Sequence, residues 1–123
     1  MLGWYQPQDE LARPGSRYPV TLFWQPLAAI QDDYTVFIHL RTIDGAQVAQ
    51  RDAQPLDGDY PTQRWRPGET VIDPQPITLP PDLAQGVYVL WAGMYRLDTL
   101  ERLWVKGDRS GENAVRLGQL VVH

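Results

Sequence analysis

Hydrophobic and polar residues alternate with a period of two along most of this chain. In 18–24 (YPVTLFW), Val20, Leu22 and Trp24 fall on one face and Thr21 and Phe23 on the other, which predicts a buried strand rich in β-branched and aromatic residues. The clearest strand is 34–41 (YTVFIHLR), where Tyr34, Val36, Ile38 and Leu40 alternate with Thr35, Phe37, His39 and Arg41. It runs into Thr42-Ile43-Asp44-Gly45, whose Asp-Gly pair suits the positive-φ turn of a hairpin, and 46–52 (AQVAQRD) returns as a more polar strand. Residues 71–79 read as one broken strand, confined to an edge or a bulge because Pro74 and Pro76 have no N–H to give a ladder. The segment 87–95 (VYVLWAGMY) is apolar on both faces, as expected of a central strand enclosed in the core with Trp91 inside it. Residues 96–102 predict a hairpin tip returning through Leu103, Trp104 and Val105. A polar loop over 106–113 and a closing strand over 114–122 follow.

No segment carries the helical period over three turns. The pattern therefore predicts an all-β fold, an antiparallel, immunoglobulin-like β-sandwich of about seven to nine strands. At 123 residues the chain is expected to be one domain, 1–123, with 1–13 as a lead-in or edge strand and 53–70 as a long loop. The longest nearly apolar run, 87–95, is far short of the roughly 18–20 residues that a membrane-crossing helix needs. No secretory signal is visible at the start, where the first basic residue is Arg13.

Charge and composition remove several kinds of function. Eleven basic and 15 acidic residues give a net charge of -4, with no basic run to follow a phosphate backbone, so nucleic acid is not an expected partner. There is no Cys to provide a thiolate nucleophile or zinc ligand, and His39 and His123 are the only histidines. No cofactor is expected, and catalysis by this chain alone is not.

The surplus of five Trp and six Tyr is the most informative chemistry, because exposed aromatic rings stack on the apolar faces of sugars. Tyr60 and Trp65, with Thr62 between them, occupy the long loop and form the candidate ligand platform, although Trp65 can equally fold down to plug one end of a sandwich. His39 and Asp52 are further candidate binding residues, with a satisfied structural histidine as the alternative for His39. Asp57 and Asp59, around Gly58, are weak candidates for calcium, since their spacing lacks that of a full calcium loop and Asp is common in turns.

The order of motifs adds an expectation of another kind. Pro14-Gly15, VTLFW, DYTVFIHL, Asp44-Gly45, VAQRD, GDYPT, WRPGE, ITLP, GVYVLWAGMY and RLGQLVV follow one another from about Gly15 to Val122. This order resembles the C-terminal extracytoplasmic β-sandwich accessory domain of bacterial polytopic membrane glycosyltransferases of the dolichyl-phosphate-mannose-mannosyltransferase-like kind. The resemblance implies a noncatalytic module outside the cytoplasm, part of a membrane-anchored parent that carries the transferase site. Its partners would be glycan or the membrane part of that parent. Three readings follow. A glycan-binding module uses the 53–70 loop. A purely structural or protein-docking module instead buries Tyr60 and Trp65 and leaves an apolar patch uncovered elsewhere. A small standalone hydrolase would need a cleft with polar groups converging on His39 or the Asp cluster.

Overall fold

The computed structural model describes residues 1–6, 12–106 and 112–123. One layer is a three-stranded sheet in the order β1-β3-β6, from β1 (Leu2–Gln6), β3 (Thr21–Gln25) and β6 (Val71–Pro74). The facing layer is a four-stranded sheet, β5 (Gln47–Ala53), β4 (Thr35–Thr42), β8 (Gly86–Tyr95) and β9 (Val115–Val122), in the order β5-β4-β8-β9. A short pair, β2 (Arg17–Tyr18) with β7 (Ile77–Thr78), completes nine strands among the described residues, and all strand pairings are antiparallel. The all-β, antiparallel sandwich expected from the alternation is thus what forms. Parts of the lead-in (7–11) and of the polar loop (107–111) lie outside the described residues.

Two expected strands are each split in two, for one physical reason. The chain leaves β2 at Pro19 and β7 is separated from β6 at Pro76, both residues without an N–H, so neither ladder can run on. The two breaks face each other: the Gln75 N–H donates to the Val20 carbonyl at 2.7 Å. Pro74 sits on β6, an edge strand, where it costs the sheet no central bond. The hairpin at 42–45 forms as the Asp-Gly pair predicts. Gly45 has φ +100, and its N–H and that of Ala46 are bonded to the carbonyl and hydroxyl of Thr42.

Leu22, Trp24, Val71, Val36, Ile38, Leu40, Leu90, Met94 and Val122 join in one buried cluster between the sheets. Within it lies a polar knot. Asp73 is 0% exposed and accepts three N–H bonds, from the Leu56 backbone (2.8 Å), Gln75 Nε2 (2.9 Å) and Trp24 Nε1 (3.3 Å). Gln75 Oε1 in turn accepts from Arg51 Nε at 2.9 Å, and Arg51 extends to Asp57. Burial raises the Asp73 carboxyl above its ordinary value, and the three donors oppose that rise.

The second face of β8 differs from expectation. Among the described residues no second sheet covers it, and Trp91 is half-buried on the outside, roofed by the Arg41 guanidinium 5.1 Å from its ring. Arg41 is held there by a two-pronged pair with Glu112, at 3.0 and 3.3 Å. Phe37 is buried on this outer face because Gly93, its register partner on β8, has no side chain. A Cβ at Gly93 would lie 2.5 Å from two Phe37 ring carbons and 3.0 Å from the Asn113 carbonyl. Gly93→Ala is therefore expected to destabilise the fold by about 1–3 kcal/mol, the usual cost of overpacking. Urea denaturation measures this, and a stability equal to wild type would show that the ring does not lie over Gly93.

Candidate functional site

The long loop is closed upon itself. Trp65 is 3% exposed, joins the core cluster and donates its indole N–H to the Tyr60 carbonyl at 2.8 Å. Thr62 is 0% exposed, and its hydroxyl donates to the Asp32 carbonyl (2.6 Å) and accepts from the Tyr34 N–H (3.0 Å), clipping the loop to the start of β4. Tyr60 is half-buried, with its hydroxyl donating to Glu69 Oε1. That bond and the Arg66 N–H hold the Glu69 carboxyl below its ordinary value, and the same Glu69 bond pushes the Tyr60 phenol up. Gly68, at φ +83, lets its N–H reach the Pro26 carbonyl at 2.8 Å and tie the far end of the loop to the sandwich. Tyr60, Thr62 and Trp65 thus hold the loop together, and of the two readings of the sequence, exposed platform or plug, Trp65 takes the position of the plug.

Asp57 and Asp59 do not meet Asp52 in an ion site. Asp57 pairs with Arg51 at 3.3 Å, whereas Asp52 lies on the outer sheet face, and no group of three metal-ligating side chains comes together among the described residues.

His39 and Asp52, in contrast, are brought together. Antiparallel register sets Asp52 opposite Phe37 and His39 two residues further along β4. With Tyr95, Leu100 and Arg102 they line a pocket of about 240 Å³. The Tyr95 hydroxyl donates to Asp52 Oδ2 at 2.9 Å, and the Arg102 guanidinium lies 4.5 Å over the Phe37 ring while donating to the Glu112 carbonyl. Burial and then the charges of Arg41 and Arg102 lower the His39 pKa, so the ring is neutral at neutral pH. Tyr95 and Arg102 were not singled out by sequence. The Asp44-Gly45 turn pairs β4 with β5 and so places Asp52 beside Phe37, whereas Tyr95 reaches that face through the β4–β8 pairing, which that turn does not set.

A second hollow, of about 500 Å³, lies elsewhere. One wall is the β3–β4 connection, where Pro26 ends the strand and Leu27, Ala28, Ala29 and Ile30 follow. The other is Leu103 and Trp104, with Met1 and Tyr34 contributing to the lining. Trp104 is 61% exposed and Leu27 45%. Leu103 is half-buried and Val105 buried, so the alternation around Trp104 already turns its indole outward. The charged rim consists of Asp32, which lies 3.7 Å from Arg96, itself bonded to Asp98 at 3.0 Å. Residues 100–104 thus contribute to two surfaces, Leu100 and Arg102 to a polar pocket on the sheet face and Leu103 and Trp104 to an apolar groove. No family model, curated protein or solved structure matches this chain.

Proposed function

We propose that the chain is a noncatalytic, extracytoplasmic accessory module of a membrane glycosyltransferase-like parent, and that it docks against that parent through the apolar groove. The observation that carries this reading is the exposure of Trp104 and Leu27 over a hollow of about 500 Å³, while the loop aromatics are folded inward. A contiguous apolar hollow with an exposed Trp at its lip is the feature that marks a contact surface rather than a scattered surface leucine. Among the described residues no helix is long and apolar enough to cross a membrane, so attachment by this route would come from outside them. The immunoglobulin-like assignment is part of the same proposal; the order β5-β4-β8-β9 reads as the C′-C-F-G sheet of such a sandwich.

Removing a Trp face from water contributes about 2–3 kcal/mol to association, and each 1.4 kcal/mol is a factor of ten. Trp104→Ala is therefore expected to weaken docking about 30–150-fold. In membranes carrying the chain within its parent polypeptide, a photoreactive side chain at position 104 should crosslink to another part of that polypeptide. Crosslinks to lipid or glycan alone would sink the docking reading.

A further inference from the structure

We propose that the outer face of the four-stranded sheet carries a separate binding site, a pocket formed by Asp52, His39, Tyr95 and Arg102 over Phe37, that takes one neutral pyranose through a vicinal pair of hydroxyls. The pocket does not depend on the docking reading, since it opens on the sheet face and shares no lining residue with the groove.

The depression exists because Gly93 has no side chain and Phe37 lies down into the space it leaves. Its floor is therefore apolar, continued at the mouth by the exposed side chain of Leu100. Leu100 has φ +62, a left-handed conformation that a leucine rarely adopts, and its N–H donates to the Arg96 carbonyl at 2.7 Å, which holds it there. At about 240 Å³ the space suits a single sugar ring rather than a larger ligand.

The polar groups on the walls choose the ligand. Tyr95 occupies Asp52 Oδ2, leaving Oδ1 as an acceptor. Arg102 spends one N–H on the Glu112 carbonyl and keeps others for a ligand. Arg41 approaches His39 Nδ1 at 3.4 Å, and because guanidinium is only a donor, Nδ1 must accept, which puts the ring proton on Nε2. The pocket then offers a carboxylate acceptor beside two donors. Adjacent hydroxyls, each able both to donate and to accept, satisfy this set, and the C–H face of the ring meets the exposed side chain of Leu100. A carboxylate ligand would face repulsion from Asp52, and an ammonium ion would face Arg102 and Arg41.

The test is an amide-shift titration of the isotopically labelled chain with a panel of neutral hexopyranoses. Asp52→Asn, Arg102→Lys and Trp104→Ala are run beside wild type, with glycine betaine and acetate as charged probes. Asp52→Asn keeps an oxygen for Tyr95, and Arg102→Lys keeps the charge while losing the fork, so either folded variant serves if the other does not fold. The proposal expects saturable shifts at Phe37, His39 and Gly93 with at least one hexose at millimolar concentration. It further expects about a tenfold or greater weakening in Asp52→Asn and Arg102→Lys, and no change in Trp104→Ala. Absence of saturable shifts with every hexose, shifts that depend on Trp104, or tighter binding of betaine or acetate would each overturn it. Because docking is read from crosslinks at position 104, its failure leaves this titration untouched, and the reverse holds.

Discussion

Asp73→Ala is expected to cost about 3–5 kcal/mol, a large share of the roughly 5–15 kcal/mol that holds a domain of this size together. The reason is the number of groups it abandons. The Leu56 N–H, Gln75 Nε2 and Trp24 Nε1 all point at Asp73 in the core. A methyl group would leave the Trp24 indole N–H, the Leu56 N–H and one of the two Gln75 Nε2 hydrogens without this acceptor, Gln75 keeping its bond to the Gln54 carbonyl, and would open a cavity beside Trp24. Arg51, which reaches the knot through Gln75, would lose the anchor of its own partner. Equilibrium urea unfolding measures the loss, and a change below about 1 kcal/mol would show that the knot contributes little.

The same carboxyl gives a pH dependence whose sign is fixed. Burial raises its pKa in the folded state above that of an ordinary aspartate, so the folded protein binds the proton more tightly than the unfolded chain. The contribution of Asp73 to stability is full below the unfolded pKa and is lost as pH rises through the folded pKa. Asp73→Asn cannot titrate here. Comparing the two proteins, wild type should therefore gain on Asp73→Asn as pH is lowered from about 7 toward about 4, within a general acid destabilisation that both share. A gap independent of pH would mean that Asp73 ionises as it does in the unfolded chain.

Much of this architecture was legible because alternation reports what a strand needs. Val36, Ile38 and Leu40 were placed on one face by period alone, the Asp44-Gly45 turn closed the hairpin, and Pro74 went to an edge for lack of an N–H. Period two separates the two faces of a strand without saying which meets the opposite sheet. That is why Trp91, on an apolar run, was expected inside and lies outside under Arg41. The glycine two residues on, which admits Phe37, is a clue only once the register between β4 and β8 is known. The candidate site was legible in part. His39 and Asp52 share a pocket because hairpin register is local information. The fate of the 53–70 loop is not local: Thr62 bonds to residues 28 and 30 positions away, and those bonds decide that Trp65 turns inward.

Trp65→Ala and Trp104→Ala should consequently separate the plug from the lip. Trp65 is enclosed, packed on Tyr60 at 6.3 Å between ring centroids, and bonded through its indole N–H. Truncating it should cost about 3–5 kcal/mol, as for other buried aromatics. Trp65→Phe, which keeps much of the bulk and loses the bond to the Tyr60 carbonyl, should cost nearer 1–2 kcal/mol. Trp104 meets solvent over most of its surface, so its removal should change unfolding free energy by no more than about 0.5–1 kcal/mol. Docking should rank the variants the other way: under conditions where both remain folded, Trp104→Ala weakens the contact and Trp65→Phe leaves it as in wild type. Denaturation curves for the three variants, read beside crosslink yield at the groove with the photoreactive group moved to position 27, decide the matter. If Trp65→Phe lost docking as fully as Trp104→Ala, the closed loop would itself be part of the contact surface and the groove would not be acting alone.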